Sequence, residues 1–230
     1  MRLNIQSYKN QHTSLKAVQF SPRGPALSFG DKRIDNIFNG GLSSHAMHEI
    51  YGPAAVALTS MITSFTTGKI IWIRSKSQHK QLNPHGIFYI NNNLNNYINI
   101  FSEPKYLLWT LEQAARSNAS SVVIAELPRS PNFVSSRRLQ LIAREQGTLV
   151  IALPNNDRNI TPSAAETRLR ATSIPKSIRE APRFHIDLFK NKNGTNFNWE
   201  MEWHDPKDRF RMVSQYSNRS NCASLSHMER

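Results

Sequence analysis

Gly52 and Thr59 stand seven residues apart, the spacing between the first and last positions of the phosphate-binding template G-x-x-x-x-G-K-[ST]. In that template the glycines let the backbone curl around phosphate oxygens, the lysine neutralises the β- and γ-phosphates, and the hydroxyl meets the metal. Here Pro53 follows Gly52, Ala57 takes the second glycine position, Leu58 the lysine position and Thr59 the hydroxyl position. A charged hydrogen bond of the kind Leu58 cannot make is worth about 1.5–3 kcal/mol, and more when desolvated. Leucine also brings an apolar side chain to a place that must accept several negative charges. If the match is accidental and Ala54–Thr67 is simply a buried helix, the outcome is the same: weak or absent ATP binding, and no cofactor required. His45 and His48 lie at i, i+3, but no cysteine or clustered carboxylate completes a metal set, so zinc is not expected. The single cysteine, Cys222, has no internal disulfide partner, which suits a reducing cytoplasm.

The elements that must hold these residues follow from periodicity. Ile34, Ile37 and Phe38 fall at helical spacing before Asn39-Gly40-Gly41, a helix stop. Residues 47–51 read as a short strand ending at Gly52-Pro53, and 54–67 as a segment of helical length. Ile70–Ile73, Ser121–Ala125 and Leu149–Leu153 are apolar runs with the length of buried parallel strands, and Tyr97–Phe101 is a further strand. Pro104 opens a helix carrying Leu107, Leu108, Leu111, Ala114 and Ala115, and Phe133–Gln146 is a helix ended by Gly147. Residues 76–99, with their asparagine run, read as loop up to the strand at Tyr97. Strands alternating with helices imply βαβ units on a parallel sheet.

Farther along, period-2 alternation takes over. Thr167, Leu169 and Ala171 alternate with Arg168 and Arg170, which predicts a strand with one wet face. Phe184, Ile186 and Leu188 precede Asn193-Gly194, and Phe197, Trp199, Met201 and Trp203 follow it, a hairpin signal. The division expected is a basic arm over 1–27, an α/β domain over 28–203, and a polar tail over 204–230. The formal charge is +13, spread along the chain: residues 1–27 hold four basic and no acidic side chains, yet the rest stays basic too. Such charge favours nucleic acid or another polyanion without specifying sequence. No apolar run is long enough to span a bilayer and the amino terminus lacks the apolar core of a secretory signal, so no membrane partner is expected and the cytoplasm is the expected compartment.

Gly40-Gly41-Leu42 leading into Glu49-Ile50-Tyr51-Gly52-Pro53 resembles the approach to the phosphate loop of the RecA core. Three later segments resemble the ImuA family. They are Ser136-Arg137-Arg138-Leu139-Gln140-Leu141-Ile142-Ala143, then Ser163-Ala164-Ala165-Glu166-Thr167-Arg168-Leu169-Arg170, with Leu169 where the family has Trp, and then the hairpin from Leu188 to Trp203. The likeness covers about residues 28–215. It implies a RecA-like accessory protein of the bacterial damage-inducible (SOS) mutasome, active in translesion synthesis and mutagenesis. It also implies partnership with ImuB, an inactive Y-family polymerase relative, and with an error-prone C-family polymerase. Family members commonly lack an intact Walker A, in keeping with Leu58. Glu126 falls where the RecA-like core ends its Walker B strand; no catalytic work is assigned to it, and a solvated side chain is expected. Arg137, Arg138, Arg168 and Arg170 are the candidate contacts to DNA phosphate or an acidic partner, against the alternative of an ordinary solvated surface. The competing functions are an ATP-dependent recombinase or ATPase and an autonomous DNA-binding module.

Overall fold

A computed structural model describes residues 26–64, 66–77, 82–91, 94–156, 160–175, 181–205 and 209–216. The arm expected over 1–27 lies almost wholly outside them. Nine strands form one sheet in the order β3-β2-β4-β5-β1-β6-β7-β8-β9. They are β1 (Met47–Tyr51), β2 (Ile70–Ser75), β3 (Tyr97–Ser102), β4 (Val122–Leu127), β5 (Leu149–Pro154), β6 (Thr167–Ile174), β7 (Arg183–Asn191), β8 (Phe197–Asp205) and β9 (Arg209–Tyr216). Pairing is parallel from β3 across to β6 and antiparallel from β6 out to β9. This is the α/β fold expected: a mostly parallel sheet flanked by helices, passing into antiparallel strands.

Five helices cover the sheet: α1 (Lys32–Ile37), α2 (Ala55–Thr63), α3 (Pro84–Asn91), α4 (Leu107–Arg116) and α5 (Phe133–Gln146). The central strands are mostly apolar because both faces are covered. Ile70, Trp72, Val122, Ile124, Leu149 and Ile151 point to the α2 side, whereas Ile71, Ile73, Val123, Ala125 and Val150 meet Leu111, Leu139 and Ile142 of α4 and α5. The antiparallel strands send Phe184, Ile186, Trp199, Met201 and Phe210 to the α1 side. No helix among the described residues is long and apolar enough to cross a membrane.

Two elements depart from expectation. Within the stretch read as loop, α3 forms because Asn83 accepts the His85 amide at 3.0 Å and Pro84 opens the first turn, burying Ile87. Beyond residue 203, β8 runs on to Asp205 and β9 adds a full edge strand, so the polar tail does not begin at 204. Phe210 and Met212 are buried while Arg211 and Val213 are exposed, the alternation of a strand with one covered face.

Asp31 fastens this edge strand to the first helix. Its carboxylate caps α1 by accepting the Arg33 amide at 2.8 Å and also accepts the Met212 amide of β9 at 2.9 Å. Burial on its own would raise the Asp31 pKa, but the hydrogen bonds from the Arg33 side chain and from the Met212 and Arg33 amides outweigh it and hold it at about 2. Because that lies below the ordinary 3.8, the Asp31 contribution is complete above pH 3.8 and is lost as pH falls through about 2. Asp31→Ala is expected to cost about 1–2 kcal/mol at neutral pH in urea unfolding and to flatten stability across that acid range. A variant as stable as the parent at pH 7 would refute the cap.

Candidate functional site

In open α/β sheets ligands bind beyond the carboxyl ends of the parallel strands, so the turn after β1 is the first place to look. The segment bearing the phosphate-loop spacing does lie at a strand-to-helix turn, but only Gly52, Pro53 and Ala54 separate β1 from α2. Gly52 sits at φ 92°, and a Cβ there would come within 2.5 Å of the Ala171 carbonyl oxygen of β6. Close packing of backbone on backbone therefore accounts for this glycine. The Ala54 amide donates to that same Ala171 carbonyl at 3.2 Å, and the Ala55 amide to Gly52 at 3.1 Å. Ala57 lies exposed on the first turn of the helix, and Pro53 is exposed in the turn. Leu58 and Thr59 are fully buried, Leu58 in the core between α2 and the sheet. The Thr59 hydroxyl is enclosed without a hydrogen-bond partner among the described residues.

Glu126, at the end of β4, is not solvated. It is 3% exposed, accepts the Trp72 indole N–H at 2.8 Å and faces Arg74 Nε at 2.7 Å and Arg74 Nη2 at 3.3 Å. Parallel pairing of β2 with β4 brings the two residues together on the α2 face. The expectation of an ordinary wet carboxylate fails because β2 supplies the counter-charge two residues after its tryptophan. Both carboxylate oxygens are thereby engaged.

A second polar cluster lies on the opposite face, where β1 pairs with β6 and Glu49 stands in register with Arg168. Glu49 is fully buried and accepts from the hydroxyls of Tyr51 and Ser163, from Ser130 at 2.8 Å, and from Arg168 Nε at 3.0 Å. Arg168 Nη2 also donates to the Tyr51 oxygen at 2.5 Å, and its guanidinium carbon lies 5.5 Å from the Phe189 ring centre. Burial first, and the Glu49 charge second, push the Tyr51 phenol up to about 12. Next to this cluster His48 is buried, with Nε2 3.0 Å from the Ser43 carbonyl and Nδ1 2.7 Å from the Thr167 hydroxyl. A carbonyl only accepts, so Nε2 carries the proton and the Thr167 hydroxyl donates to Nδ1. Burial lowers the His48 pKa, which keeps the ring neutral.

Arg168 is therefore a core ion-pair residue and not the surface contact expected of it; the face of β6 expected to be wet is closed by Ser130, Ser163 and Phe189. Arg170 is partly exposed, 3.9 Å from Asp187. Arg137 is exposed on α5, and the half-exposed Arg138 reaches back to Glu112 of α4 at 2.5 Å. Arg168 and Arg170 thus share one face of β6, both beside the Phe189 ring, while Arg137 and Arg138 belong to α5. The Glu49 cluster was missed; its signal was a carboxylate, Glu49, inside a short strand with Met47 and Ile50. Two cavities open at the carboxyl edge, one of about 430 Å³ bounded by Arg129, Ser130, Asn156 and Thr161, and one of about 200 Å³ over Glu126. A larger one of about 480 Å³, bounded by His45, Lys69 and Ser120, lies at the opposite edge. Residues 52–59 line none of the three.

Sheet order and the site together define an α/β protein in which buried carboxylates of β1 and β4 are held by its own arginines. The chain is 25% identical over 234 aligned residues to Protein ImuA of Caulobacter vibrioides, in each of two strains, covering 87% of this chain and 93% of the relative. No protein-family model matches the chain.

The Arg74–Glu126 pair is open to a double-mutant test. Arg74→Met leaves a buried carboxylate without its counter-charge and is expected to cost about 3–5 kcal/mol in urea unfolding. Adding Glu126→Gln is expected to recover a large part of that loss. A single-variant cost below about 1 kcal/mol would mean that the pair is solvated.

Proposed function

We propose that this chain is a non-enzymatic, RecA-like accessory factor of error-prone translesion synthesis in the DNA damage (SOS) response. In this reading it brings together an ImuB-like inactive Y-family polymerase relative and an error-prone C-family polymerase, with DNA met directly or through them. The similarity to Protein ImuA along 87% of the chain supports the biological setting. The observation that carries the accessory role is the burial of Leu58. The position where a nucleotide-binding protein presents an ammonium to phosphate is occupied by a side chain that is 0% exposed and faces the sheet. Its neighbour Thr59 is equally buried and unable to reach a metal. With Glu126 taken up by Arg74 and Trp72, neither of the two charges a magnesium nucleotide would seek is offered.

Two measurements on the full chain test this. Equilibrium titration with labelled ATP and magnesium is expected to give a dissociation constant weaker than about 100 μM, near −5.5 kcal/mol. Tighter binding accompanied by hydrolysis would favour the ATPase reading instead. Co-purification with the two polymerase components of the same genome is expected to retain at least one of them at physiological salt. Failure to retain either, with tight and steeply salt-dependent DNA binding by the chain alone, would favour the DNA-binding module.

A further inference from the structure

We infer that the outer faces of α4 and α5 form a docking surface for an acidic, apolar-faced segment of a protein partner. The inference rests on the accessory reading above and gives it a place on the molecule. The two helices pack side by side, joined across their seam by Arg138 and Glu112. Facing away from the sheet, α4 and the turn before it present Tyr106 and Trp109, 50% and 60% exposed. Their spacing, continued by Arg116, places all three along one side of the helix. On α5, Phe133, Arg137 and Leu141 follow one another at i, i+4, with Val134 beside them; Phe133 and Val134 are 50% and 70% exposed. Five of the nine exposed large apolar side chains among the described residues thus gather on two neighbouring helices. An indole left mostly in water gives up burial that a monomer would normally secure, and grouped apolar exposure of this kind marks interaction sites.

Charge selects the occupant. Arg116 and Arg137 are exposed among these side chains, Arg138 is half-exposed at the seam, and α5 sets a single carboxylate, Glu145, against its three arginines. On α4 the carboxylate is Glu112, which is buried and already paired with Arg138. Tryptophan, tyrosine, phenylalanine and arginine are the residues enriched where proteins bind proteins, whereas lysine is depleted there. The aliphatic Val134 and Leu141 offer nothing to a stacked base, which favours a polypeptide over single-stranded nucleic acid. A partner segment with an apolar stripe and flanking Asp or Glu would cover the aromatic residues and meet the arginines at the rim.

Binding of the purified inactive Y-family polymerase relative to the full chain, followed by calorimetry, tests the surface. Trp109→Ala and Val134→Asp are each expected to weaken binding about tenfold or more. Arg137→Glu is expected to weaken it most at low salt, since it sets like charge against the partner's acid. All three positions are exposed, so unchanged thermal unfolding is the control for folding. If the partner binds parent and variants equally, the surface assignment is wrong while the accessory role stands. If the partner does not bind the parent chain, the assignment falls together with the reading beneath it. If an oligothymidylate displaces the partner and its own affinity drops in the same variants, the face is a nucleic-acid platform and the inference is overturned.

Discussion

A fully buried carboxylate at the seam between the parallel and antiparallel halves of the sheet constrains everything around it. Glu49 belongs to β1, the last strand but one of the parallel run, and Arg168 to β6, the strand that ends the parallel run and begins the antiparallel one. Removing an ion from water costs several kcal/mol unless partners of good geometry replace the solvent. Glu49 therefore needs Arg168 in register, Tyr51 two residues on, Ser130 from the loop after β4 and Ser163 from the loop before β6. Strand order, register and the paths of two loops are tied to one side chain. A slip of one residue between β1 and β6 would turn Arg168 to the opposite face and leave the carboxylate bare.

The same solution appears at Glu126 on the other face of the sheet, where Arg74 comes from the adjacent strand. In both places a carboxylate at the functional edge of an α/β sheet is satisfied within the fold. A site built to exchange ligands keeps charges incompletely matched until the ligand arrives, since unpaired groups are what a ligand then pairs. Here both carboxylates are matched by side chains of the chain itself. On the helices that cover the sheet, Arg116, Arg137 and Trp109 face water.

Most of the fold was legible because its strands are long apolar runs and its helices carry regular stripes; β4, β5 and α5 need no more than periodicity. α3 was hidden because asparagines around it depress helix propensity, though Asn83-Pro84 is a start signal in its own right. β9 was hidden because charged residues alternate with Phe210 and Met212, and polarity was weighed above period. The candidate site was legible at Leu58 only as an apolar side chain, which the structure buries. It was not legible at Arg168. Alternation assigns a residue to a face, but whether that face is wet depends on loops distant in the chain, and the partners of Arg168 come from residues 49, 51 and 130.

The short turn after β1 is fixed by packing that no single substitution would undo. With only Gly52 to Ala54 between strand and helix, α2 is already on its second turn at position 58. The side chain there is fully buried in the core that α2 shares with the sheet, so a lysine in its place would start from an apolar site. The Ala54 and Ala55 amides, which an anion at the helix start would need, are spent on Ala171 and Gly52. β6 also packs against Gly52. Lengthening the turn, moving the helix or replacing Leu58 would each open the core. The packing that stabilises α2 therefore also fixes the turn.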